Sequence, residues 1–335
     1  MGVCTITISE IAKLAGVSVA TVSRVLNHSG SVSAQTSRRV MEIVEKYHYS
    51  PNLLGRHLRK METKIILVIL TSVSNSFSSR VVSGIDQEAR KYGYHTLVCM
   101  TSDSMESEES YLDMVRDGVA DGAILMNTRM DKAQYHAFAE KYHAVQCSEY
   151  VDPDSPYVVI DNERAAFDAV THLLALGRRR IAYCGVLNHF NSSHKRYAGY
   201  VRALESFGLA VDREIVFDGN YGFRSAYRLT EERIRSGRRF DGLFTISDRM
   251  AAGAISAILA NGLGVPADVA VVGFDNIDIS YMMKPTITTV AQPKQELGRE
   301  AFLSLLDQMN GKKPENKILN YQMILRESTK IEGGK

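Results

Sequence analysis

Apolar residues recur at helical spacing through the first fifty positions, and beyond residue 61 the pattern changes to short apolar runs alternating with amphipathic stretches. Ile8, Ile11, Ala12 and Ala15 mark one face of a first helix. Thr7 and Glu10 fit a capping box at its start, and Gly16 suits the left-handed turn at its end. Ser18 is a good N-cap for a second helix, and only Gly16 and Val17 separate the two. Two short helices joined by a tight glycine turn form a helix-turn-helix. In the second helix Val22, Val25 and Leu26 point to a core, whereas Val19, Ala20, Ser23 and Arg24 point away from it. A third helix starts near Ser33 and packs through Val40, Ile43, Val44 and Tyr47. Ser50-Pro51 opens a fourth, shorter helix over 51–59, with Leu54 and Leu58 on one face beside Arg56 and Arg59. It is too short to be stable alone, and Gly55 costs it about 1 kcal/mol relative to alanine.

From residue 61 onward, strands are expected at 65–70, 96–100, 123–126, 145–148, 158–160, 181–184, 215–217, 243–246 and 270–272. Helical patterns lie between them, among them 81–92, 107–117, 164–176, 195–207 and 250–261. Continuous apolar strands alternating with helices mean parallel sheets covered on both faces. There are too many strands for one compact sheet, so two lobes are expected. The fold class is therefore α/β, with a helix-turn-helix head on a two-lobed core of two doubly wound parallel sheets.

Charge sharpens this division. The whole chain carries a formal +2, but eight cations against three anions give the first sixty residues +5 and leave −3 for the rest. A basic head on a near-neutral body points to a polyanion at one end, although a solvated charged face gives the same count. The N-terminal part of a second helix of this kind enters the DNA major groove. There Arg24 can donate two hydrogen bonds to a guanine edge, and Val19 and Ala20 can touch thymine methyls. Thr21 and Ser23 are short hydroxyl donors suited to phosphates, and Ser18 and Asn27 complete the expected DNA-binding set on this helix. The four cysteines form no CxxC pair, and His189 and His194 lack metal-site spacing, so neither metal nor cofactor is expected. No stretch approaches eighteen uninterrupted apolar residues and no signal-peptide pattern opens the chain, so a cytoplasmic protein is expected. The chain shows no GxGxxG, P-loop or nucleophile elbow, which argues against an enzyme.

The stretch ISEIAKLAGVSVATVSRVLN over 8–27 resembles the DNA-binding head of the lactose/galactose repressor family, as does YHYSPNLLGRHLRK over 47–60. The likeness continues through VVIDNERAAFDAVTHLLALGRRRIAYCG over 158–185, ISDRMAAGAISAILANGLGVPADVAVVGFDN over 246–276 and TTVAQPKQELGREA over 288–301. It implies a repressor whose head spans 1–49 and whose hinge spans 50–61. It implies a core over 62–335 like the periplasmic sugar-binding proteins, with one lobe near 62–161 plus 292–326 and the other near 162–291. It also implies a homodimer, or a tetramer, on palindromic double-stranded DNA. The hinge helices of such a dimer sit in the minor groove, with Leu58 as the wedge between base pairs and Leu54 and Arg56 beside it. Gly55 and His57 depart from the alanine and serine usual there, which implies a weaker hinge helix. Arg164 stands where the family usually has glycine.

In open α/β sheets, ligands sit outside the carboxyl ends of the strands. Asp275, Ser247 and Arg196 fall at or just beyond such ends. A carboxylate and a guanidinium on one cleft offer acceptors and fixed donors to hydroxyl groups. By resemblance, Arg196 and Asp275 fall on the effector-binding positions, Ser247 and Ser192 on neighbouring ones, and Tyr221 where an aromatic ring lies against the ligand. Phe77 and Glu149 are expected from the other lobe. The bland alternatives stay open here: an Arg–Asp pair also suits a structural ion pair, Ser247 also suits a helix cap, and Tyr221 and Phe77 also suit a core. The implied effector is a small molecule of carbohydrate type. A solute-binding protein serving a transporter fits the core alone but not the head, and a sugar-handling enzyme lacks its catalytic groups.

Overall fold

The computed structural model describes residues 6–26, 30, 32–47, 49, 62–186 and 190–330, which divide into two compact units between Thr63 and Lys64. The first unit holds helices α1 (Ile8–Ala15), α2 (Val19–Leu26) and α3 (Ala34–Lys46). The capping box forms as expected: the Thr7 side chain accepts from the Glu10 amide, and the Glu10 carboxylate accepts from the Thr7 amide at 2.7 Å. Gly16 closes α1 at φ 63°, a left-handed conformation that costs an L side chain energy. Ser33 caps α3 by accepting from the Thr36 amide at 3.2 Å. Ile11, Ala12, Ala15, Val22, Val25 and Val40 form the buried centre, with Ile43, Val44 and Leu26 packed around it. Tyr47, expected inside, sits at the C-cap of α3 and is 46% exposed. The expected helix over 51–59 lies outside the described residues.

The second unit contains two six-stranded sheets. The first comprises β1 (Ile65–Leu70), β2 (His95–Met100), β3 (Gly122–Leu125), β4 (Ala144–Cys147), β5 (Tyr157–Ile160) and β11 (Lys317–Leu319), in the order β11-β5-β4-β3-β1-β2 and all parallel. The second comprises β6 (Ile181–Gly185), β7 (Val216–Asp218), β8 (Gly242–Thr245), β9 (Ala270–Asp275), β10 (Thr288–Ala291) and β12 (Gln322–Ile324), in the order β12-β10-β9-β8-β6-β7. Only β12 runs antiparallel, against β10. Helices α4 (Ser76–Lys91) and α12 (Lys294–Met309) cover one face of the first sheet, and α5 (Met105–Arg116) and α6 (Lys132–Ala139) the other. In the second lobe α7 (Asn162–Ala175) packs on α8 (Asn191–Ser206), and α9 (Phe223–Arg235) on α10 (Asp248–Ala260); α11 (Ile279–Met282) is a single turn. Where both faces are covered, the inner strands are almost wholly apolar and buried, as in β1, β6 and β9.

The structure departs from the sequence reading at several edges. Residues Arg213–Ile215 form a 3₁₀ turn, so the strand expected at 215–217 begins one residue later. Strand β9 runs on to Asp275, which makes that residue the last of its strand. Strands β10, β11 and β12 were not anticipated as strands. The first lobe read from sequence extends to 326, but residues Gln322–Ile324 pair with β10 of the second sheet. The chain therefore crosses between the lobes three times: after β5, after β10 and between β11 and β12.

Candidate functional site

In the first unit, α2 separates its faces as its sequence requires. Val22 and Val25 are buried, while Ser18, Val19, Ala20 and Arg24 are exposed and Thr21 and Ser23 half-buried. Ser18 accepts from the Thr21 amide at 3.1 Å, and the two hydroxyls lie 2.9 Å apart. Ser18 and Thr21 thus fix the start of the helix as well as lying on its outer side, which leaves Arg24 the long charged donor of that surface. Asn27, Leu54, Arg56 and Leu58 lie outside the described residues.

In the second unit, the carboxyl ends of both sheets converge on a cleft of about 440 Å³. Phe77, Glu149, Ser192, Arg196, Tyr221, Ser247 and Asp275 all line it. Strand ends and the loops that follow them deliver these groups: Ser148 and Glu149 follow β4, Asn220 and Tyr221 follow β7, Ser247 follows β8, and Asp275 ends β9. Arg196 comes from the second turn of α8.

Arg196 is buried and held rigidly. Its Nε donates to Asn162 Oδ1 at 2.9 Å and its Nη1 to the Ile246 carbonyl at 2.7 Å. Its guanidinium lies 3.7 Å from the Phe274 ring centroid. The Asp275 carboxylate stands 4.0 Å from Nη1, beyond hydrogen-bond range, so the two groups face one cavity without being locked to each other. Asp275 Oδ1 accepts from Gln292 Nε2 at 2.7 Å. Burial pushes the Asp275 carboxyl above the usual range, and the Arg196 charge opposes that. A ligand that donates hydroxyl hydrogens to Asp275 and offers oxygens to Arg196 satisfies both.

Behind Asp275 lies a second carboxylate, Asp248, fully buried. It accepts from the Thr289 hydroxyl at 2.6 Å and from the Ile277 amide at 2.8 Å. Burial, then the neighbouring Asp275 charge, drive its pKa well above the ordinary carboxylate value. Across the cleft, Glu149 of the first lobe accepts from the Ser192 amide of the second at 3.0 Å, and from the Ser192 hydroxyl as well. Burial raises the Glu149 pKa, and the Ser192 bonds and the Arg196 charge pull it back. The Tyr221 hydroxyl meets the Ser193 hydroxyl at 2.5 Å, and Tyr221 itself takes a left-handed φ of 58°.

The alternatives left by the sequence resolve unevenly. Ser247 does cap α10, accepting from the Met250 amide at 3.3 Å, and it also lines the cleft. Tyr221 and Phe77 face the cavity while packing at core margins. Sequence reasoning missed Asn162, Phe274 and Gln292, which orient the charged pair, and Asp248 beneath it. Gln292 lies just past a strand that was itself overlooked, and Asp248 reads as an ordinary first-turn acid of α10. Among the described residues no cluster of three or more His, Cys, Asp or Glu side chains fits a metal ion. No described helix is long and apolar enough to cross a membrane.

Residues 7–52 match the family model described as bacterial regulatory proteins, lacI family, and residues 170–329 match the one described as periplasmic binding protein-like domain. The HTH-type transcriptional repressor CytR of Escherichia coli (strain K12) is 34% identical over 331 residues, covering 97% of this chain and 96% of its own. Among solved structures, the lac repressor dimer bound to operator and the anti-inducer ONPF is similar with a TM-score of 0.88 at 27% identity, over 97% of this chain and 99% of that one. The complex of the transcriptional regulator CelR with cellobiose gives a TM-score of 0.73 at 26% identity, over 96% and 99%.

Proposed function

This chain belongs to the lacI family of bacterial regulatory proteins and is a DNA-binding transcription regulator, not an enzyme; from that premise we propose that it is a homodimeric repressor whose grip on a palindromic operator is set by a polyhydroxylated, carbohydrate-like effector in the core cleft. The head, 1–49, reads one half-site through the outer side of α2, with Arg24 as the principal base-reading residue and Val19 and Ala20 as apolar contacts. The segment 50–61 links it to the core, 62–335, and Leu54, Arg56 and Leu58 meet the minor groove.

The observation that carries the effector reading is the pairing of Arg196 on α8 with Asp275 at the end of β9, both buried, 4.0 Å apart and facing one cavity with Ser192, Ser247 and Tyr221 around them. Alternating fixed donors and acceptors suit adjacent ring hydroxyls. The cleft is lined by both lobes, so a ligand that bridges them biases their relative arrangement by its differential affinity.

The test is operator affinity measured against the concentration of a sugar retained from a thermal-shift screen, for wild type, Asp275→Ala and Arg196→Ala. Wild type should respond, and both variants should bind operator normally yet shift the effector midpoint at least tenfold. One lost charge-assisted hydrogen bond is worth about 1.5–3 kcal/mol, and coupling between sites typically about 1–3 kcal/mol. Unchanged midpoints in both variants would place the ligand elsewhere. Collapse of operator binding itself would make the pair purely structural.

A further inference from the structure

A lysine from the first-lobe side of the seam ends on the backbone of the residue that carries the cleft's carboxylate. Lys294 opens α12, and its Nζ donates to the carbonyl of Asp275 at 2.5 Å and to that of Asn276 at 3.0 Å. Helix α12 packs on α4 and on β4 of the first sheet, so Lys294 is carried by the first lobe. Its two targets belong to β9 and the loop after it, in the second lobe.

Those targets are strained. Asp275 has φ 101° and Asn276 φ 52°, two consecutive residues in a region that L side chains rarely adopt. Such a turn persists only where its surroundings over-determine it. Here the Asn276 amide donates to Thr289 Oγ1 at 3.3 Å, the Ile277 amide donates to Asp248 at 2.8 Å, and Arg326 Nη2 donates to Asn276 Oδ1 at 2.8 Å. Gln292 holds the Asp275 carboxylate itself. Lys294 alone among these partners ties the backbone of the turn to a helix of the first lobe. The charges around it are complementary: Asp248, Asp275 and Asp278 on the second lobe face Lys294 and Arg80 on the first, and Arg80 pairs with Asp278 at 2.9 Å.

We propose that Lys294 is the positioning residue for Asp275: carried by the first lobe, it pins the strained turn of the second, so that the carboxylate faces the cleft only while the lobes keep this mutual arrangement. Closure is then coupled to the ligand grip through the backbone of the turn as well as through contact with the ligand. The proposal rests on the assignment of Asp275 to effector binding, but its test needs no ligand.

The experiment is native-state hydrogen exchange on the full-length protein, comparing wild type with Lys294→Met and Lys294→Arg. The amides of Asn276 and Ile277 report the turn, and those of β1 report global stability. In Lys294→Met the turn amides should exchange at least tenfold faster with β1 unchanged, and Lys294→Arg, which still donates, should restore their protection. Spin labels at exposed Val119 and Phe207, one on each lobe, should give a broader distance distribution in Lys294→Met and a native one in Lys294→Arg. Native exchange at Asn276 and Ile277, or an unaltered distance distribution, in Lys294→Met overturns the proposal. If β1 also loses protection, Lys294→Leu, which cannot donate, is measured by the same criteria, and a native turn there overturns it equally. A failure of the effector reading would show separately, as an Asp275→Ala variant that still responds to sugar.

Discussion

Arg24 and Arg196 carry the same charge, and their surroundings set them opposite tasks. Arg196 is buried, stacked on Phe274 and fixed by Asn162 and the Ile246 carbonyl, so it presents a pre-oriented donor edge to a small cavity. Arg24 is exposed on the outer side of a short helix, where its planar fork is free to meet a base edge. Replacing Arg24 by alanine should therefore cost operator binding about 1–3 kcal/mol per half-site while barely weakening binding to random DNA. Titrations on both DNAs at one fixed salt concentration separate the outcomes, and equal losses on the two would reduce Arg24 to a phosphate contact. The sequence made both arginines visible for different reasons: Arg24 through the helical period that turns it outward, Arg196 through its resemblance to a family position. Lys294 was invisible by either route. A lysine in the first turn of a helix reads as solvated, and only the fold brings two strained carbonyls to its end.

At the level of elements, legibility followed apolar content. Strands such as β1 and β9 are continuous buried apolar runs, and their pattern has no competing explanation. Strand β10 escaped because its first two positions are threonines, yet both are fully buried. Thr288 bonds the Arg326 carbonyl at 3.1 Å and Thr329 at 2.7 Å, and Thr289 bonds Asp248, so polar residues fill a core strand with their hydroxyls satisfied. Strands β11 and β12 are three residues long on sheet edges, too short to impose a period, and that is why the lobe boundary near 326 was misread. Helix contacts held a further constraint that periodicity does not show. Gly298 of α12 and Gly84 of α4 let the two helices approach until backbone meets backbone: a Cβ added at Gly298 would lie 2.1 Å from the Val81 carbonyl oxygen. Alanine is the better helix former by about 1 kcal/mol, but the clash is with main chain and cannot be relieved by a rotamer. Gly298→Ala should lower stability by about 1–3 kcal/mol, read as an earlier urea midpoint at an unchanged slope. A later midpoint would mean that α12 can slide on α4 at no cost.

For the molecule as a whole, the remaining question is how a head of three short helices binds an operator tightly. Its buried centre is a handful of small aliphatic side chains. In the dimer proposed above, two tethered heads convert the second contact into an intramolecular one, and avidity of this kind commonly adds a factor of about 10²–10⁴. Dimerisation then needs a surface on the core, and the edge of the first sheet offers one. Among the described residues β2 is paired on one side only, and it exposes Leu97, Val98 and Met100 at 40%, 44% and 49%. An apolar edge strand left open invites pairing, and the benign partner is a second copy of the same chain. Val98→Asp places a charge in the centre of that edge without disturbing the buried core, because Val98 packs outward. The variant should sediment as a monomer, keep the wild-type thermal shift with the same sugar, and lose about 10²–10⁴ in operator affinity, since each head then binds alone. A dimer of unchanged operator affinity would remove β2 from the interface. A monomer that kept full operator affinity would be more damaging, because it would show that the two-headed reading of the operator is itself wrong.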